Sequence, residues 1–367
     1  MGVLNPDGGI KLRAGPRELR PVNIDQSYDA GSGRRSLVPG VSQILPATVI
    51  AGRYELRDLI GSGAGGRVYE AYDRRLRRLV ALKLMPVKQA DTQDAAEKLR
   101  RFRFEAQAVS RLSHPHIITV HDFGHDPGHD SGHTGGYAWI VMQLVIGETL
   151  EATLRQQGAL PLEEAVRLIT ALLAALDCAH GRGIVHGDVK PANILIEISA
   201  TEPHGEMRLS DFGVARMTDE QPAAAGDLIG TPSVMAPEQV RGEAGDARID
   251  IWAAGVILYE MLVGERPFKG THPALFHRIQ TLTPTPPTSL RPDLPAAFDA
   301  VIARALAKRP EDRFASAQDM ADAVRVASMA TAVDPSALPA PSPPQAAPAE
   351  NGTLSEAAAG TPPCGGS

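Results

Sequence analysis

The chain has 367 residues, a formal net charge of −6 and two cysteines, Cys178 and Cys364. An acidic balance with no long basic run argues against nonspecific nucleic-acid binding, and two distant cysteines exclude a disulfide framework and fit a reducing compartment. At about 150 residues per domain the length allows two, and no run of 18 apolar residues offers a membrane span.

Residues 1–52 are rich in Gly, Pro, Ser and Arg without sustained periodicity, and read as a disordered N-terminal arm. No charged-then-apolar signal sequence opens it. Met1-Gly2 starts like an acylation site, but Pro6 stands where Ser or Thr is required. Arg34-Arg35-Ser36 reads as a solvated loop, with a basic phosphorylation or docking site as the alternative.

Residues 54–60 form a strand pattern that runs into Gly61-Ser62-Gly63-Ala64-Gly65-Gly66-Arg67-Val68. Glycines at 61, 63 and 66 let backbone fold closely over phosphates and present N–H donors to them. Such a run alone fits an ordinary turn or a dinucleotide loop equally well. The residues that follow, 67–73, read as a second strand and not as a helix, which makes the run a hairpin lid. Residues 80–84 alternate like a strand and place Lys83 among apolar neighbours. Residues 95–112 have a helical pattern, with Phe102, Val109 and Leu112 apolar and Glu105 among them. Two further strands are expected around 117–120 and 138–142, followed by the connector Gln143-Leu144-Val145.

Histidines at 121, 125, 129 and 133 recur every four residues between those strands. On a helix they would share a metal-binding face. Pro127 and glycines 124, 128, 132, 135 and 136 oppose a helix, so an enlarged solvated hairpin loop is the preferred reading and metal binding the alternative. Residues 160–180 form an amphipathic helix that starts at Pro161 and ends near Gly181 or Gly183, with Cys178 as a core thiol.

The most informative string is His186-Gly187-Asp188-Val189-Lys190-Pro191-Ala192-Asn193. It sets a carboxylate, an ammonium and an amide at fixed offsets on one loop. Phosphoryl transfer from a nucleotide needs these groups: one to orient the acceptor hydroxyl, one cation near the transferred phosphate, one oxygen for a metal. Downstream come Asp211-Phe212-Gly213, then Gly230-Thr231-Pro232 leading to Ala236-Pro237-Glu238. Asp250-Ile251-Trp252-Ala253-Ala254-Gly255 and Arg309-Pro310-Glu311-Asp312-Arg313 follow. Residues 328–367 are rich in Ala, Pro and Ser, with polyproline character at 339–344, and read as a linker or docking tail. The last four residues have prenylation spacing without its aliphatic middle, so lipidation is not expected.

With these motifs in this order, residues 54–326 resemble a bacterial eukaryotic-like (Hanks-type) Ser/Thr protein kinase. The resemblance implies an α+β two-lobed fold within a kinase domain at 53–327. The small lobe, 53–146, would be mostly antiparallel β with one helix, and the large lobe, 147–327, mostly helical. It implies ATP as phosphate donor, Mg2+ (or Mn2+ in its place), and Ser/Thr hydroxyls of proteins as acceptors, including those of the chain itself.

By resemblance, Ile60, Gly61, Ser62, Gly63, Ala64, Gly65, Gly66 and Val68 would cover the nucleotide. Ala81, Met142, Gln143, Val145 and Leu195 would surround the adenine, with Met142 at the back. Lys83, held by Glu105, would contact the phosphates. Asn193 and Asp211 would hold the metal. Asp188 would orient the acceptor hydroxyl and Lys190 would steady the γ-phosphate. Thr231 would position the acceptor, and Glu238 would pair with Arg313. With no signal-peptide pattern and no apolar span, a soluble cytoplasmic protein is the default expectation; no motif specifies its oligomeric state.

One departure is Gly187, where related kinases carry an arginine that a phosphate on the activation segment balances. The middle of this segment, 222–228, has no Ser or Thr. The two absences agree, and imply activation without a phosphate there, with Thr218, Thr231 and Ser233 as the remaining sites. Val234 replaces a usual aromatic residue. Two rival readings stand beside the kinase. A small-molecule phosphotransferase often carries H-G-D, but is not expected to show all the later motifs. A catalytically dead ATP-binding scaffold usually loses the lysine or an aspartate that this chain keeps.

Overall fold

A computed structural model describes residues 48–63, 66–87, 100, 102–103, 106–107, 109–126, 136–198, 205–212, 216–217 and 232–330. Residues 1–47 of the N-terminal arm, the tail beyond 330, His129 and His133 lie outside the described residues. The rest of the arm, 48–52, is a correction to its reading as disordered, because Val49 and Ile50 pair with Glu55 and Tyr54 and Ile50 is buried.

The small lobe is one antiparallel sheet. Its strands are β1 (Val49–Ile50), β2 (Tyr54–Gly63), β3 (Gly66–Asp73), β4 (Arg78–Val87), β5 (Val120–Asp126) and β6 (Gly136–Met142), in the order β1-β2-β3-β4-β6-β5. Side chains alternate across a strand, and the sheet uses both faces. Val80, Leu82 and Leu84 of β4 join Tyr69, Ala71, Trp139 and Val141 in an outer cluster. Ala81 points the other way and joins Val68 and Met142 in a second cluster on the cleft side. Strand β2 contributes to both clusters from positions of the same parity: Tyr54 and Leu56 to the outer, Ile60 to the cleft. Register shifts between Leu56 and Leu59, and again between Leu59 and Gly61, reverse the facing of its side chains.

The strand expected around 117–120 is displaced. Ile117 bridges Leu209 in parallel, and β5 runs from Val120 to Asp126. This strand is polar because it lies at the sheet edge, where one side is open to water. Its carboxylates are engaged: Tyr54 Oη donates to Asp122 at 2.6 Å and Tyr137 Oη to Asp126 at 3.1 Å. His121 and His125 therefore belong to a strand and not to the expected loop. The helix expected at 95–112 has helical backbone at residues 100, 102–103, 106–107 and 109–110, with Ala106 and Val109 buried.

The large lobe is mainly helical. Its helices are α1 (Leu150–Gln157), α2 (Leu162–His180), α3 (Pro237–Val240), α4 (Arg248–Val263), α5 (His272–Thr281), α6 (Pro287–Leu290), α7 (Ala297–Ala305) and α8 (Ala317–Met329). Thr149 caps α1 by accepting from the Ala152 N–H at 3.1 Å, and Ser316 caps α8 through the Asp319 N–H at 3.0 Å. Helix α4 is apolar around nearly its whole circumference and is buried from Ile249 to Tyr259, as such a helix must be. Helix α2 packs against both α4 and α8. Cys178 sits on α2 but is only partly buried, a correction to its reading as a core thiol. It faces Arg182, whose Nη1 lies 2.8 Å from its Sγ. Short strands complete the lobe: β7 (Gly147–Thr149), β9 (Ile194–Glu197) and β10 (Glu206–Leu209) in one sheet, β8 (Ile184–Val185) and β11 (Arg216–Met217) in another. Among the described residues, no helix is long and apolar enough to cross a membrane.

Arg313 and Glu238 form a two-pronged pair at 2.7 and 2.7 Å, with side chains 0% and 3% exposed. Arg313 also donates to the carbonyls of Ala307 and Arg248, at 2.9 and 3.1 Å, and its guanidinium lies 5.1 Å from the Trp252 ring centre. Arg313→Met leaves the Glu238 carboxylate buried without its cation. The expected loss is about 3–5 kcal/mol in urea unfolding; a loss below about 1 kcal/mol, the scale of a surface pair, would contradict this account.

In the small lobe, the Arg53 guanidinium hydrogen-bonds Asp73 and holds its carboxyl down at about 2, against burial and from an ordinary 3.8. A depressed carboxyl stabilises the fold above its unfolded pKa, and loses that contribution as pH falls through the folded value. Asp73→Asn should therefore lower the melting temperature most near neutral pH. The gap to the parent protein should close as pH falls from about 4 toward 2.

Candidate active site

The cleft side of the small lobe supplies an apolar slot. Ile60, Val68, Ala81, Met142 and Val145 cluster there with Leu195 of β9, so the sheet and the large lobe close on each other. Ile118 belongs to the same cluster, and Leu144 packs against it. The sequence places Leu144 in the connector beside this slot but gives no signal for Ile118. Ile118 joins because its N–H donates to the Leu209 carbonyl at 2.9 Å, a long-range tie without local signal. The Gln143 N–H is committed to the Thr119 carbonyl at 2.9 Å. A ligand contact from Gln143 must use its carbonyl or side chain.

The lid hairpin is the β2–β3 turn. Gly61 pairs with Val68, Ser62 with Arg67, and Gly63 with Gly66. Gly66 has φ +127°, and a Cβ there would lie 2.2 Å from the Leu84 carbonyl oxygen. Only glycine fits, because of both the backbone angle and the contact. Ala64 and Gly65 lie outside the described residues, as do Glu105 and Thr231.

Lys83 is held by Asp211, whose Oδ1 accepts from Nζ. A cavity of about 600 Å³, counting its open mouth, lies against this pair and is walled by Phe102, Val109, Ile140, Met142 and Phe212. Burial works against a charged Asp211, yet the Lys83 charge and hydrogen bond outweigh it, helped by His186 and Lys190, and hold its pKa below the ordinary value. Asp211 has φ +64°, a left-handed conformation rare outside glycine.

The loop that carries Asp188 is anchored from below. Buried Asp250, on the first turn of α4, accepts from the His186 N–H at 2.8 Å, the Gly187 N–H at 2.9 Å and His180 Nε2 at 2.8 Å. Burial opposes its charge, but the His180 hydrogen bond and the Gly187 amide keep its pKa low. Gly187 has φ +78°, so the turn into Asp188 suits a residue without Cβ. His186 is fully buried; its Nε2 donates to the Ser210 carbonyl at 3.1 Å, which leaves Nδ1 to accept from the Asp188 N–H at 3.3 Å.

Lys190 Nζ lies 2.8 Å from Asp188 Oδ2. Asn193 Nδ2 donates to the Asp188 carbonyl at 2.9 Å, and the Asn193 carbonyl accepts from the Ser210 N–H and Oγ, both at 2.9 Å. The Asp188 loop and the Asp211 strand end are thereby stitched together. Lys83, Asp211, Lys190 and Asp188 form one continuous set of alternating charge beside the apolar slot. A flat apolar ring with a polyanionic tail and a hard divalent cation suits this donor set: carboxylate and amide oxygens for the metal, ammonium groups for phosphate.

The family described as "Protein kinase domain" matches residues 54–324. Over 313 residues the chain is 38% identical to the serine/threonine-protein kinase PknA of Mycobacterium tuberculosis, covering 84% of this chain and 69% of that protein. It is 36% identical to the serine/threonine-protein kinase PksC of Streptomyces coelicolor, over 85% of this chain and 54% of the relative. With the probable serine/threonine-protein kinase PknB of Bifidobacterium longum the identity is 37%, over 76% of this chain. The chain spans only 40% of that relative's length. The crystal structure of a point mutant of the Mycobacterium tuberculosis PknI kinase domain superposes with a TM-score of 0.58 at 30% identity. That match covers 77% of this chain and 98% of the other.

If the Asp211 carboxylate holds a divalent cation, Asp211→Asn should abolish the gain in nucleotide affinity that such a cation, supplied as Mg2+, brings. Calorimetric titrations with and without Mg2+ should then give affinities within about twofold of one another, where the parent protein differs by about tenfold or more.

Proposed function

Because the chain belongs to the protein kinase family, we propose that it transfers the γ-phosphate of ATP to Ser and Thr hydroxyls of proteins, its own included. The single observation that carries this reading is the Lys83–Asp211–Lys190–Asp188 set, tied by Asn193 and lying beside the apolar slot. The chain keeps every charged group whose loss would mark a scaffold. The later motifs that a small-molecule phosphotransferase lacks are engaged in its core, as the buried Glu238–Arg313 pair illustrates. The reading takes 53–327 as the catalytic domain. ATP is an intracellular metabolite, so a cytoplasmic location goes with it.

In the proposed mechanism, Ile60, Val68, Ala81, Met142, Val145 and Leu195 bind the adenine by burial of apolar surface. The lid hairpin covers the phosphates with backbone N–H groups. Lys83 contacts the α- and β-phosphates. Asn193 and Asp211 are the residues that would hold Mg2+, which offsets the charge developing on the phosphate oxygens. Asp188 orients the acceptor hydroxyl and takes its proton as the oxygen bonds to the γ-phosphorus and the bond to the bridging oxygen of ADP breaks. Lys190, already 2.8 Å from Asp188, steadies the transferred group and keeps the carboxylate in place. Thr231, on the segment before Glu238, is assigned to the acceptor side.

The test is phosphate transfer from labelled ATP with Mg2+, to the chain itself and to myelin basic protein, beside Asp188→Asn and Lys83→Met. Label on Ser or Thr is expected, with a fall of about 100-fold or more in each variant, equivalent to about 2.7 kcal/mol of transition-state stabilisation. ATP binding without label would return the scaffold. Label confined to a small hydroxylated acceptor would return the small-molecule enzyme.

A further inference from the structure

Gln239, directly after Glu238 on α3, uses its amide at both ends. Its Oε1 accepts from the Ala236 N–H at 2.9 Å, and its Nε2 donates to the Gly187 carbonyl at 3.3 Å. Ala236 closes the segment that carries the buried Ser233, Val234 and Met235. Gly187 immediately precedes Asp188. The two segments face each other across a small cavity lined by Asp188, Val234, Met235 and Gln239.

The Gly187 residue is therefore gripped at both polar groups. Asp250 takes its N–H from helix α4, and Gln239 donates to its carbonyl from α3. Only a side chain that donates and accepts at once can make the second link while also closing the Ala236 N–H, and a primary amide does so without charge. A carboxylate would face the Gly187 carbonyl with another acceptor, and an ammonium would have nothing to offer the Ala236 N–H. Position 187 has no side chain, so no cation there waits for a phosphate.

We infer that Gln239 is a positioning residue that couples the segment 232–236 to Asp188 through the Gly187 carbonyl, a neutral cross-link that works without phosphorylation. The inference rests on the kinase reading for its catalytic consequence and on the geometry alone for the coupling. A donor distance of 3.3 Å is at the long end for an N–H···O bond. The expected effect is accordingly about tenfold, smaller than that of losing Asp188 itself.

The experiment compares the phosphatase-treated full chain with Gln239→Glu and Gln239→Ala. Gln239→Glu keeps the length and the acceptor but replaces the donor with a second acceptor and adds a negative charge, so Gln239→Ala, which removes the donor without adding charge, is read beside it. The kcat for a protein acceptor should fall about tenfold in both, with the KM for ATP, the affinity for ADP and the melting temperature nearly unchanged. Backbone hydrogen exchange at residues 186–189, measured without nucleotide, should accelerate about tenfold in both variants. An unchanged kcat, or a kcat that falls only in step with ADP affinity and melting temperature, would overturn the inference. So would an activity that disappears on phosphatase treatment of the parent protein. If the parent chain transfers no phosphate to protein under any condition, the functional reading fails, and the exchange measurement alone decides the coupling: unchanged exchange sinks it.

Discussion

The structure turns on one buried carboxylate. Asp250 sits on the most apolar helix of the large lobe and accepts three hydrogen bonds there, two of them from consecutive backbone amides of the loop that carries Asp188. A buried charge is tolerated only when hydrogen-bonded on every side, so the carboxylate and the loop fix each other. The loop cannot drift without stranding the charge, and the helix cannot shift without uncovering the loop. His186 carries the constraint onward to the Ser210 carbonyl, and so to Asp211. The reacting groups inherit their spacing from a buried helix that supplies none of them.

A second constraint acts on the other side of the same loop. Glu238 is pinned by Arg313, and Arg313 is pinned by backbone carbonyls and by the Trp252 ring. Trp252 is itself stacked on Phe268, with ring centres 5.7 Å apart. The segment end is thus built into the core of the large lobe, and Gln239, next to Glu238, is placed where its amide can reach Gly187. Charge does the anchoring where the side chains are buried, and a neutral amide makes the final link.

The small lobe solves a different problem: one sheet must fill a core and line a cleft. Strand β4 does this by simple alternation, with Leu82 and Leu84 on one side and Ala81 on the other, and the sequence pattern at 80–84 already shows it. Strand β2 does it by irregularity. Its two register shifts send Ile60 to the cleft while Tyr54 and Leu56 fill the outer core. No period-two reading of 54–60 anticipates that, because a bulge is set by the pairing with β3 and not by the strand's own residues. The edge strand β5 escaped for a related reason. Val120-His121-Asp122-Phe123 lacks an apolar alternation, and the strand is held by its pairing with β6 and by Tyr54, Tyr137 and Arg53 reaching across to its carboxylates.

The sequence by itself determined the class of fold, the family, the order of the motifs and the identity of the charged groups. Those features are local: glycine spacing, a lysine in an alternating strand, three groups at fixed offsets on one loop. Apart from the Glu238–Arg313 pair, which the resemblance already implied, tertiary structure decided which partner each charge meets. That Lys83 bonds Asp211, that Asp250 holds the amides before Asp188, that Ile118 joins the nucleotide slot, and that Gln239 reaches Gly187 are contacts across 52 to 128 positions of chain. Sequence spacing does not encode such distances, because they are set by how two lobes and a buried helix pack. The physical reason is that buried polar groups must be satisfied by whatever the fold brings within hydrogen-bond reach, and that becomes known only when the fold is.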